Sequence, residues 1–203
     1  PIHIISANLH SVMNTLHAPK ALKTFATKKE IFDVYEALSD SSNASLRSKV
    51  EKTATQEGMQ FLEDSSGTNI NVQIFDTAKI DFESSDLNIS KKVKDSENPV
   101  IFVMDYAFGE QAYETIDEFL KPFVNDGENT HLNIQSISIM GKAGILEGGK
   151  GDIMIPSAHI FEGTADNYPF ENELKKDQLE GQGVEIYEGA MVTVLGTSLQ
   201  NKE

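Results

Sequence analysis

The stretch that most limits the fold runs through residues 99–140. Pro99-Val100-Ile101-Phe102-Val103-Met104 is an unbroken apolar run. A strand carries such a run, in place of alternating apolar and polar residues, when both of its faces are buried. Gly109 follows it. Residues 110–124 then place Tyr113, Ile116, Phe119, Leu120 and Phe123 at helical spacing. Ile134-Gln135-Ser136-Ile137-Ser138-Ile139-Met140 reads as another strand. Strand, glycine turn, helix and strand compose a βαβ unit with a right-handed crossover. The fold this predicts is α/β, with three α/β/α layers about a mixed sheet.

The flanking sequence divides at residue 67. Over 1–67 the pattern predicts a helical segment. Ile4, Leu9, Val12, Met13 and Leu16 fit one amphipathic helix, and Ile31, Val34, Tyr35 and Leu38 a second. Asn43 or Ser45 caps a third, running through Val50 to Phe61 and Leu62. Residues 68–203 form the α/β domain. It opens with a short strand at Val72-Gln73-Ile74-Phe75 and a polar loop over 84–98. Later strand pieces are predicted at 152–155, 158–161, 184–187 and 191–195, the last two joined by Glu188-Gly189.

Charge and composition narrow the function. The formal net charge is −15, which argues against a general nucleic-acid surface, because phosphate backbones are held by Lys and Arg. A small anion remains compatible, since backbone N–H groups can hold phosphate inside an acidic protein. Cysteine is absent, so disulfides, thiolate nucleophiles and Cys-bound metals are excluded. No run approaches the roughly 18 apolar residues of a membrane span, and the first 18 residues lack the pattern of a signal peptide. The expectation is a cytoplasmic protein with no membrane partner. The missing initial Met and the abrupt end at Gln200-Asn201-Lys202-Glu203 predict a C-terminally incomplete domain.

Open α/β sheets bind ligands beyond the carboxyl ends of their strands. Four segments fall there: 105–111, 141–144, 161–168 and 196–201. Glycines in them either only make turns or let the backbone approach a ligand. Neither a Walker A pattern nor a GxGxxG is present, which removes support for phosphate-loop and dinucleotide enzymes.

Three blocks carry a family resemblance. They are Ser138-Ile139-Met140-Gly141-Lys142-Ala143-Gly144-Ile145-Leu146, Gly151-Asp152-Ile153-Met154-Ile155-Pro156 and Glu162-Gly163-Thr164-Ala165-Asp166-Asn167-Tyr168. Together they resemble the central block of AMP nucleosidases, in the nucleoside phosphorylase superfamily. The likeness covers roughly residues 98–203. It implies a phosphorylase-like sheet and a ribosyl-binding cleft where an N-glycosidic bond is cleaved, by hydrolysis or by transfer to phosphate. By that resemblance Gly141 and Gly144 shape the sugar floor, Gly109 belongs to the substrate-binding glycine-rich turn before the first long helix, and Thr164, Asp166 and Tyr168 flank the mouth. Thr197 and Ser198 approach the base. The partner is then a small nucleotide or nucleoside, with phosphate as an alternative co-substrate, and the chain a homo-oligomer. The resemblance implies neither cofactor nor metal. The alternative it leaves open is an inactive nucleotide-binding or regulatory module.

Two departures matter. Where phosphorylases commonly carry a serine after the glycine-rich turn, this chain has Glu110, whose carboxylate repels phosphate. Glu110 becomes the candidate proton-handling residue. The family's methionine–glutamate pair for the ribose hydroxyls has no counterpart before Glu203. Lys142 either holds a substrate phosphate or pairs with Asp152 or Glu147. His3, His10 and His17 recur every seven residues and would share one stripe of a helix. Among them His10 is the ligand candidate. His159 reads as a core or interface residue, and His131 as exposed.

Overall fold

The computed structural model describes residues 1–23, 31–82, 98–107, 109–164, 166–181 and 183–194. It divides into two compact units, Pro1–Gly141 and Lys142–Glu203. Both helices and strands are present, so the α/β expectation holds at that level.

The first unit opens with strand β1 (Ile2–Ser6), not a helix. Ile2, Ile4 and Ile5 fit either period over so short a run, and burial on both faces removes the polar alternation that marks a strand. Ile4, predicted in a helix, is fully buried in β1. Helix α1 (Leu9–Ala21) starts only after Asn8, whose side chain accepts the His10 backbone N–H at 2.8 Å. His3 therefore stands on a strand, and the three-histidine helical stripe does not exist. Helices α2 (Ile31–Ser39) and α3 (Ala44–Gln56) follow as predicted, except that α3 stops before Phe61 and Leu62. Those two residues belong to strand β2 (Gln60–Leu62).

Strands β3 (Val72–Asp76) and β4 (Val100–Met104) come next, then helix α4 (Gly109–Leu120). The helix ends earlier than predicted. Phe123 lies in a hairpin of β5 (Phe123–Asn125) and β6 (Glu128–Thr130). Asp126 and Gly127, with φ of 52° and 85°, form its turn, a strong hairpin signal in the sequence. Strand β7 (Ile134–Ile139) completes the unit.

The sheet order is β2-β3-β4-β1-β7. Strands β4, β1 and β7 are parallel, while β3 runs antiparallel to β4 and β2 to β3. The predicted βαβ strands, β4 and β7, are thus parallel but not neighbours, because β1 lies between them. Alternate residues fill two layers. Ile5, Phe75, Ile101 and Val103 meet Met13, Leu16, Val34, Leu38, Val50 and Ala54 from α1, α2 and α3. Ile4, Phe102 and Met104 meet Ile116 and Phe119 of α4 on the opposite face. Burying such aliphatic side chains stabilises by about 1.5–3 kcal/mol each.

The second unit has its own sheet, so the strands do not share the single sheet expected from sequence. Strands β8 (Ile153–Phe161), β9 (Asp166–Pro169) and β10 (Ile186–Thr193) are ordered β10-β8-β9. β8 and β10 are parallel, and β9 is antiparallel to β8. A short helix, α5 (Lys176–Leu179), precedes β10. The predicted strand pieces merge into continuous strands. Glu188 and Gly189 are not a loop but the site of a register shift, after which Ala190 pairs with Ala158 in place of Ser157. Pro156 has no N–H for the ladder, which is where such shifts are tolerated. The predicted 84–98 loop, apart from Asn98, lies outside the described residues, as does Leu195.

Candidate functional site

Adjacent parallel strands whose following helices go to opposite faces leave a crevice at their carboxyl ends. β1 and β4 are such a pair. α1 follows β1 onto the layer with α2 and α3, and α4 follows β4 onto the other. Beyond these ends lie Ser6, Ala7 and Asn8 on one side and Asp105, Tyr106 and Ala107 on the other.

Backbone bonds pin this rim. The Ala7 N–H donates to the Met104 carbonyl at 3.0 Å and the Met140 N–H to the Ser6 carbonyl at 2.9 Å. The Asp105 N–H donates to the Asn71 carbonyl at 3.0 Å, tying in the loop between β2 and β3. From the first turn of α4, the Gln111 amide donates to the Thr68 carbonyl of the same loop. Asp105 turns its carboxylate back to the Tyr106 N–H at 2.8 Å.

Four predicted site residues come to this rim. His10 is in the first turn of α1, Gly109 and Glu110 are in the first turn of α4, and Gly141 follows β7. All four are exposed. Gly109 has φ of 55°, a left-handed conformation that a side chain disfavours, so glycine is needed for the chain to enter α4. Helices α1 and α4 both begin at this end of the sheet, so their positive dipole ends lie there.

The other predicted residues belong to the second unit. Thr164 and Asp166 lie beside the parallel carboxyl ends of β8 and β10, where the Glu162 N–H donates to the Thr193 carbonyl at 3.0 Å. Tyr168 pairs with His159 in mid-sheet, and the His159 Nε2 lies 2.7 Å from the Thr193 hydroxyl. That contact makes His159 a cross-strand partner. Lys142 and Gly144 are exposed and precede the amino end of β8. Lys142 does not pair with Asp152, whose carboxylate accepts the Gly149 N–H at 2.6 Å and the Glu185 N–H at 3.4 Å. Thr197 and Ser198 lie outside the described residues.

A family of unknown function, DUF6909, matches residues 34–203. The chain belongs to this family. The DUF6909 match takes in α2 onward, so it includes β4, α4, β7 and the whole second unit. No curated protein and no solved structure matches the chain.

Sequence reasoning missed two contributors to the rim. Asn8 is one, hidden because β1 reads as helical. The loop at 64–71 is the other, although its Asp, Ser, Gly, Thr and Asn residues are those that fold on their own side chains.

Proposed function

We propose that this chain holds the ribosyl part of a nucleoside or nucleotide beyond the carboxyl ends of β1 and β4 and acts on its N-glycosidic bond. The observation that supports this reading is the pair of neighbouring parallel strands β1 and β4 whose following helices go to opposite faces, with His10, Gly109 and Glu110 just beyond their carboxyl ends. Helix amino termini and polar side chains at such a rim suit sugar hydroxyls. An oxocarbenium-like state would develop positive charge there, and the carboxylates of Asp105 and Glu110 favour it electrostatically. The same carboxylates oppose inorganic phosphate, which makes water the nucleophile. In this reading Glu110 handles the proton.

The test is incubation with AMP, adenosine, inosine and uridine, with and without phosphate, measuring free base. The reading predicts base release that does not require phosphate, lost in Glu110→Gln. No base from any of the four would contradict the enzymatic step.

A second reading, a binding module without turnover, is favoured by the exposure of Glu110. An exposed acid does not shield a reacting centre from water. Ligand-dependent thermal stabilisation without base release distinguishes it.

A further inference from the structure

His17 stands in the middle of the α layer, fully buried, and the proposed reaction does not use it. Its Nδ1 lies 2.7 Å from the Glu57 Oε2, and its ring stacks on Phe75 with centroids 5.7 Å apart and 27° between planes. Glu57 immediately follows α3. Its other oxygen receives the Lys20 ammonium at 2.5 Å and the Asp81 N–H at 3.4 Å. Lys20 also reaches the Asp81 carboxylate at 3.3 Å.

These contacts fix the protons. Burial pushes the Glu57 carboxyl up, but hydrogen bonds from Lys20, His17 and the Asp81 N–H together outweigh it and hold it below the usual range. An ionised Glu57 can only accept, so the His17 Nδ1 carries the ring proton. The Nε2 is then the bare nitrogen. It is buried and has no hydrogen-bond partner among the described residues.

A second ring proton would need an acceptor at Nε2. Lys20 on α1, Glu57 after α3 and Asp81 after β3 are the charged groups of this cluster, and all are gathered on the Nδ1 side around Glu57. The ring lies on Phe75 of β3 in a layer built from Val34, Leu38 and Val103, none of which accepts a proton. Gln73, on the same face of β3, has a buried Oε1 that is itself without a hydrogen-bond partner among the described residues, so it does not bond Nε2. Burial accordingly pushes the imidazole down, against the opposing pull of Glu57 and with a smaller push from Lys20.

We propose that His17 is an acid-sensitive latch, whose neutral ring fastens α1 and α3 to the sheet and whose protonation at Nε2 releases them. Above the unfolded-state value of about 6.5 the ring is neutral whether the layer is closed or open, and the latch holds. Below it, the opened layer binds a proton that the closed layer refuses. The closed layer therefore loses stability as pH falls from about 6.5 toward the lower folded-state value.

Amide hydrogen exchange on the full chain, corrected for intrinsic rates, tests this at pH 7.5 and 5.5. The opening constants of α1 and α3 should rise by up to about tenfold at the lower pH. In His17→Phe, which keeps an aromatic ring against Phe75, that rise should vanish. An equal rise in the variant, or none in the wild type, overturns the latch. Should the variant not fold, ring ¹⁵N shifts of the wild type decide. A neutral ring with its proton on Nδ1 at pH 5.5, while α1 stays closed, supports the latch. A doubly protonated ring in the closed layer refutes it.

Discussion

Asp64 shows how one side chain can shape a rim. Its Oδ1 accepts the Ser66 N–H at 2.9 Å and the Ser66 hydroxyl at 2.7 Å, and its Oδ2 accepts the Gly67 and Asn69 N–H groups at 3.0 and 2.7 Å. Those bonds, the Ser66 hydroxyl foremost, hold its carboxyl well below the usual carboxylate range. The stabilisation is present above the ordinary Asp value of about 3.9 and is lost as pH falls through the folded-state value. Asp64→Ala should lower the melting temperature at pH 7, and the difference from wild type should shrink in strong acid. At Gly109 the backbone alone decides. A Cβ there would meet nothing within 4 Å, so Gly109→Ala should cost about 1–2 kcal/mol from the left-handed φ, measured by urea unfolding. Gly148 differs, because a Cβ would crowd Tyr187, Ile145 and Asp152 at 2.7–2.9 Å on top of a φ of 97°. Gly148→Ala should therefore destabilise its unit more than Gly109→Ala destabilises its own. The need for glycine at 109 was legible from its place after an apolar strand. The need at 148 was not, because it arises from Tyr187, distant in sequence.

Among the elements, long periodic segments were the legible ones. α2 and the helical character of α3 and α4 follow from apolar residues three and four apart. β1 was not legible, since its neighbours in the sheet, β4 and β7, pair with it from residues 98 or more positions away. Only their cover on both faces makes Ile2, Ile4 and Ile5 a strand. The corner between α2 and α3 depends on another contact invisible in sequence. The Arg47 guanidinium donates to the carbonyls of Leu38 at 3.2 Å, Asp40, and Ser41 at 2.9 Å, satisfying the end of α2. Arg47→Ala should cost about 1.5–3 kcal/mol, as expected for hydrogen bonds from a charged donor. In the same layer Phe75 is 1% exposed beneath His17, and Phe75→Ala should cost about 3–5 kcal/mol through loss of contacts and the cavity left. Denaturant unfolding followed by circular dichroism measures both.

For the whole molecule, net charge bears on which partners are excluded. A net charge of −15 repels polyanions, so duplex DNA should show no mobility shift at physiological salt. The proposed reading places a small polar molecule beyond β1 and β4 instead. Of the candidate residues, His10, Gly109, Glu110 and Gly141 gather in the first unit, whereas Thr164 and Asp166 gather in the second. The motifs were legible because glycines and acids at strand ends have local signatures. Their division between two sheets was not, because strand pairing is set by contacts far apart in sequence. The most direct measurement is an amide ¹H–¹⁵N titration of the full chain with adenosine and AMP. The account predicts saturable shifts concentrated at residues 6–10, 105–107, 109–111 and 140–141. Saturable shifts that spare those residues, or no shift at millimolar ligand, would contradict it.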